Sequence, residues 1–195
     1  MAGPGSAEPH PGQLQEEADW VRRIRGGDPE AYEQLFYRYA PALINFARRF
    51  VQDVQVAEGL VQEVFLQVWK RRTRLDPDRN IKSYLYAATR NRALKELRRA
   101  GSALEGAGDL TRSVSQPQSP EEEWDQQQVG FEVNKAVARL PKRCRVIFSM
   151  SRFDQLTYAE IAESLNLSIK TVETQMGRAL KTLRRSLAHL ISIVP

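Results

Sequence analysis

Apolar positions along the chain recur with a helical period, and no stretch shows the two-residue alternation of a strand. The clearest case is Thr157 to Leu187. Ile161, Ala162 and Leu165 form the apolar face of a short helix, with Thr157 as N-cap and Glu160 at the capping-box spacing. The break falls at Leu165, Asn166 and Leu167, where Asn166 suits a left-handed turn. Ser168 then caps a second helix, in which Val172, Met176, Ala179, Leu180, Leu183 and Leu187 share one face. A small residue, a turn residue and a branched apolar residue in that order (Ala162, Asn166, Val172) predict a helix-turn-helix, the small side chain letting the second helix cross close by.

The same period predicts further helices upstream. One runs from about Leu14 to Arg25 and stops at Gly26-Gly27; Asp28-Pro29 restarts the chain. The next carries Tyr32, Leu35, Phe36 and Tyr39, then Leu43, Ile44, Phe46, Ala47 and Phe50, with a kink expected at Pro41. After Asp53 comes an amphipathic stripe of Ala57, Leu60, Val61, Val64, Phe65, Val68 and Trp69. Glu58, Gln62, Glu63 and Leu66 lie off that stripe. The segment from Leu75 to Asn80 reads as a loop, and a fourth helix from Ile81 to about Arg99 has Tyr84, Leu85, Ala88, Leu94 and Leu97 as its expected stripe. Helical pattern resumes near Val129, breaks at Leu140-Pro141, and continues from Arg145 to Phe153.

The expected fold is therefore all-α: two helical domains, 14–100 and 129–195, the second a helix-turn-helix. Residues 1–13 read as a disordered N-terminus. Residues 101–128, with Gly, Ser, Pro, Gln and a run of three glutamates, read as a flexible acidic linker.

Charge sharpens this division. The chain of 195 residues is +5 overall, but residues 70–100 carry +8 and residues 129–195 carry +6, while the connector carries −5. Two basic modules suit a polyanion. Tyr84 and Tyr86 interleave with the cations of the fourth helix, as single-stranded nucleic acid binding requires, although a buried tyrosine pair fits the pattern equally. The lone Cys144 excludes an internal disulfide and reads as a small buried hydrophobe. No apolar run reaches the roughly 20 residues of a membrane span, so no direct membrane insertion is expected, and the N-terminus lacks an apolar signal core. A cytoplasmic location follows as an expectation. The tail from Leu187 to Val194 should pack on its own domain or meet a partner. His10 and His189 stand alone, with no phosphate loop and no metal-ligand spacing, so no catalytic residues, cofactor or metal are expected, and an enzyme is not.

Taken together these segments resemble a sigma factor of the extracytoplasmic-function type, a bacterial transcription initiation factor. The resemblance covers Asp28–Arg99 and Val129–Leu187. Ala57–Trp69 resembles the helix that docks on the polymerase clamp, Ser83–Arg99 the helix beside the melted promoter strand, and Leu140–Met150 with Thr157–Arg184 the domain that binds promoter duplex. The resemblance implies core RNA polymerase and promoter DNA as partners, and an anti-sigma factor as inhibitor. It places polymerase contacts at Glu58, Gln62, Glu63 and Leu66, with Gly59 where the family usually has an acidic residue. It implies capture of a minus-ten base at the loop 75–82, through Asp78, Arg79, Asn80 and Lys82, with Arg90 and Lys95 beside the strand. It implies minus-thirty-five duplex contacts through Ser168, Lys170, Thr171, Glu173, Thr174, Gln175, Arg178 and Lys181. The alternative is a stand-alone helix-turn-helix regulator, which shares the recognition-helix pattern but has no use for the module before the linker.

Overall fold

The computed structural model describes residues 11–51, 53–100 and 132–188. The expectations for residues 1–10, for the connector, for Val129 to Phe131 and for the last residues from His189 lie outside these.

The described chain is helical throughout, without strands. Helix α1 spans Pro11–Arg25, α2 Pro29–Ala47, α3 Val54–Lys70 and α4 Ile81–Ala100, with a 3-10 turn at Arg72–Arg74. In the second half residues 132–138 form α5, followed by α6 (Lys142–Arg152), α7 (Tyr158–Leu165) and α8 (Ile169–Ser186). Helix α1 begins three residues before the expected start, where Gln13 donates to Glu17 at 2.8 Å. Glu17, buried, in turn accepts the hydroxyl of Tyr39 on α2.

Local signals explain the boundaries. Gly27 ends α1 in a left-handed conformation (φ 88°), open to glycine without a Cβ clash. Asp28 caps α2 through the amides of Glu30 and Ala31, and Asp53 caps α3 through those of Gln55 and Val56. Helix α2 continues past Pro41, then ends at Ala47 rather than at Phe50, which packs edge-on against Phe46 from the following turn.

In the first half α2, α3 and α4 pack on one another, with α1 against α2. The α3 stripe is buried as its period requires, except Trp69, which lies half-buried against Tyr32. In α4 the buried face differs from the expected stripe. Leu85, Tyr86, Thr89 and Ala93 point inward, whereas Tyr84 is exposed and Leu94 and Leu97 are half-buried. Mixed composition explains the rotation: α4 meets α2 and α3 on one side and α7 on another, so polar residues are buried beside apolar ones.

The two halves are not joined by the connector alone. Helix α7 packs along α4, and buried residues of both halves run together in one continuous core. The expected plan of two helical domains on either side of residues 101–128 therefore holds, and the packing of α7 on α4 adds a direct contact between them that the sequence left open.

Candidate nucleic-acid interface

The helix-turn-helix forms as the local code dictates. Thr157 and Glu160 cap each other, the side chain of each accepting the backbone amide of the other, at 3.2 and 2.7 Å. Asn166 takes the left-handed conformation (φ 54°, ψ 52°) between the helices. Ala162 is buried at the crossing, and α8 inserts Val172, Met176, Ala179 and Leu183 into the core.

The opposite face of α8 divides into groups. Lys170, Glu173, Arg178 and Lys181 extend into solvent. Ser168 and Thr171 serve the helix start: the Ser168 hydroxyl accepts the Thr171 amide at 3.1 Å and lies 2.8 Å from the Thr171 hydroxyl. Thr174, exposed, donates back to the carbonyl of Lys170 at 2.8 Å. Gln175 is half-buried and accepts a hydrogen bond from the thiol of Cys144 on α6 at 3.1 Å. Burial pushes the Cys144 thiol up, and the nearby Arg178 charge opposes this. The eight residues expected to face duplex thus comprise four outward charges, one exposed threonine, two capping hydroxyls and one side chain anchored to the domain.

The residues expected at the minus-ten strand are more dispersed. Asp78 and Arg79 are exposed on the loop, which is shaped by Asp76: its carboxylate accepts the Asp78 amide at 3.1 Å and lies 3.6 Å from the Arg79 guanidinium. Asn80 caps α4, accepting the Ser83 amide at 2.8 Å, and gives its own amide to Glu160 of α7 at 3.0 Å. Lys82 is buried; its ammonium donates to the carbonyl of Gln155 at 2.8 Å and lies 3.8 Å from Glu160. Arg90 is half-buried, and burial pushes its pKa down. Lys95 is exposed. Of the two tyrosines, Tyr84 faces outward; Tyr86 is buried on Phe46, ring centroids 5.0 Å apart, and its hydroxyl pKa is raised by burial first and by the Asp154 charge next.

The four residues expected to meet polymerase all lie on the exposed face of α3. Glu63 is paired with Arg92 of α4, a partner its own helix does not supply. Beside this ridge an open groove between α2 and α3 is lined by Phe36, Tyr37, Gly59, Gln62, Glu63 and Leu66. Tyr37 is 68% exposed, as large an apolar surface as any residue there offers. Sequence reasoning passed over it because it falls between the core positions Phe36 and Tyr39; an aromatic off the stripe was the available signal. Asp76 was missed too, although an aspartate two residues before a loop amide is an ordinary turn former.

Comparisons with known proteins find a family match in each half of the chain. The family described as Sigma-70 region 2 matches residues 35–103, and Sigma-70, region 4 matches residues 131–183. The chain is 26% identical over 175 residues to the ECF RNA polymerase sigma factor RpoE of Cereibacter sphaeroides, covering 87% of this chain and 96% of the relative. It is 22% identical over 179 residues to the ECF RNA polymerase sigma factor SigW of Bacillus subtilis, with coverage of 87% and 96%. Among solved structures it resembles CnrH in complex with the cytosolic domain of CnrY, with TM-score 0.62, 22% identity, and coverage of 89% of this chain and 98% of that one. It also resembles the sigma factor RpoE of Bartonella quintana in complex with the anti-sigma factor NepR, with TM-score 0.61, 23% identity, and coverage of 80% and 96%.

Proposed function

The chain belongs to the extracytoplasmic-function sigma factors, and from that premise we propose how its surfaces divide the work of promoter-specific initiation. A sigma factor directs core RNA polymerase to promoters and is an initiation factor. The first half docks on polymerase through Glu58, Gln62, Glu63 and Leu66, with Tyr37 and the adjoining groove completing the contact. The loop 75–82 takes an unpaired base of the minus-ten element. Extruding a base costs a few kcal/mol of lost stacking and pairing, so a protein that binds the extruded base selects sequence at the melting step.

The second half reads the minus-thirty-five element as duplex. Lys170, Glu173, Thr174 and Arg178 stand toward the groove, while Ser168, Thr171 and Gln175 shape the helix that carries them. Lys181, with Arg184 and Arg185, lies toward phosphates, which position the domain without specifying sequence. The observation that carries this division is the outward face of α8, which buries Val172, Met176, Ala179 and Leu183 and leaves its charges in solvent. A stand-alone regulator would leave the α3 ridge without a use.

The site of action is the cytoplasm, where polymerase and chromosome meet. No described helix is long and apolar enough to cross a membrane. An anti-sigma factor holds the protein inactive until a signal releases it; the complexes of CnrH with CnrY and of RpoE with NepR support this reading. Full activity in the native cell without any stimulus would count against it.

The test is transcription with purified core polymerase and fragmented genomic DNA. Discrete starts that share two sequence elements are expected. Binding of duplex DNA with no effect on where polymerase starts would instead establish the regulator.

A further inference from the structure

Two of the side chains assigned to the minus-ten strand are already occupied by the other half of the chain. The carboxylate of Glu160 accepts the Asn80 amide at 3.0 Å and lies 3.8 Å from the Lys82 ammonium, while it also closes the capping box of α7. Lys82 donates to the carbonyl of Gln155 at 2.8 Å, and Gln155 holds a left-handed conformation (φ 53°) that non-glycine residues rarely adopt. The Ser164 hydroxyl of α7 reaches the carbonyl of Ser83 at 3.4 Å. Glu160 and Glu163 line the same cleft as Asp78, Arg79 and Asn80, setting carboxylates where a phosphodiester strand would have to pass.

A second contact locks this arrangement. Arg49, just after α2, forms two hydrogen bonds to the carboxylate of Asp154, at 2.7 and 2.9 Å, and their side chains are only 13% and 4% exposed. Neither residue belongs to the polymerase, strand or duplex surfaces.

We propose that the helix-turn-helix domain of the free chain occludes its own strand-reading loop: Glu160 occupies Asn80 and Lys82, and the Arg49–Asp154 pair holds the halves together. This rests on the assignment of Asn80 and Lys82 to the minus-ten strand. The contact is built to separate. A buried ion pair is offset by desolvation, so it orients two surfaces more than it glues them. Every group that crosses the interface by hydrogen bond or charge can be solvated once exposed, and a partner that prefers the separated form shifts the population toward it.

The experiment uses the full-length chain, with donor and acceptor dyes at Arg71→Cys and Arg184→Cys, and compares Asp154→Ala and Arg49→Ala with the parent. The ligand is a single-stranded DNA oligonucleotide spanning the minus-ten region of a promoter mapped with the holoenzyme. The substitutions should lower energy transfer while leaving helix content intact. They should also tighten strand binding by the free chain about tenfold, the factor expected if roughly one molecule in ten is open beforehand and the open form dominates afterwards. The charge-swapped pair Arg49→Asp with Asp154→Arg should restore the parent's energy transfer and weak binding. Glu160→Gln, which keeps the capping box but not the charge on Lys82, should give part of the gain. Unchanged transfer, or opening without a gain in strand binding, would overturn the proposal. Strand capture by the holoenzyme is the control. If it fails for parent and variants alike, the strand assignment itself is wrong and the occlusion falls with it.

Discussion

The thiol of Cys144 on α6 donates to the side-chain carbonyl of Gln175 on α8, at 3.1 Å, and so ties one residue of the recognition helix to the body of its domain. Two neighbours on that helix face therefore do different work. Gln175→Ala leaves a buried thiol without its acceptor and should lower stability by about 1 kcal/mol with little change in which promoters are used. Arg178→Ala, from an exposed position, should weaken minus-thirty-five duplex binding by about 1–3 kcal/mol if the guanidinium is bidentate to a guanine. Denaturant unfolding and duplex titration on both variants separate these outcomes. Equal loss of duplex affinity would put Gln175 in the groove.

Ala162 is 6% exposed where α7 crosses α8. Ala162→Leu adds three carbons at a closed crossing and should destabilise the second half by about 1–3 kcal/mol through overpacking. Chemical denaturation measures it directly. A fully stable variant that still binds promoter duplex would refute the close crossing.

Gly59 lies within α3 with nothing near the position a Cβ would take. Gly59→Ala should stabilise the helix by up to about 1 kcal/mol, because glycine is a poor helix former and the space is open. Thermal unfolding reports the gain. Weaker polymerase binding by this variant would show that the missing side chain leaves room for the partner in the α2–α3 groove.

Asp28 caps α2, and the hydrogen bond from Arg23 is the leading cause that holds its carboxyl below the ordinary value. A depressed folded pKa contributes stability at pH values above the unfolded carboxylate range, and that contribution disappears as pH falls through the lowered value. Asp28→Asn keeps the capping oxygen but not the charge. Its stability deficit against the parent should therefore be present near neutrality and vanish in acid. A deficit independent of pH would mean that shape, not charge, matters at this cap.

Asn80 caps α4 and meets Glu160 with the same amide group. Asn80→Asp retains a capping oxygen, loses the donor and sets two carboxylates face to face. In the holoenzyme it should alter base preference at the minus-ten element while polymerase affinity stays unchanged. Promoter profiling on a randomised minus-ten library checks this, and an identical profile would move base capture to another part of the loop.

The helix-turn-helix was legible in the chain because every signal for it is local. The Thr157–Glu160 box, the left-handed Asn166 and the Ser168 cap each act within a few residues, and the period of α8 sorts its own faces. The α3 ridge was legible for the same reason: one clean stripe defines what lies off it. Helix α4 was not, since it packs against neighbours on several sides and its sequence shows no single stripe. There the expected outward cations Lys82 and Arg90 turn in, and Tyr86 parts from Tyr84.

The amino-acid sequence by itself determined the helices, their caps, the two-part plan and the outward faces of α3 and α8, because these follow from spacing along one helix at a time. Only the tertiary structure decided that α7 lies on α4, that Lys82 and Asn80 are taken by Gln155 and Glu160, and that Arg49 finds Asp154. Those partners stand 73 to 105 residues apart in the chain. A helical period carries no information across such separations; only the summed packing of both halves brings the groups within hydrogen-bond reach.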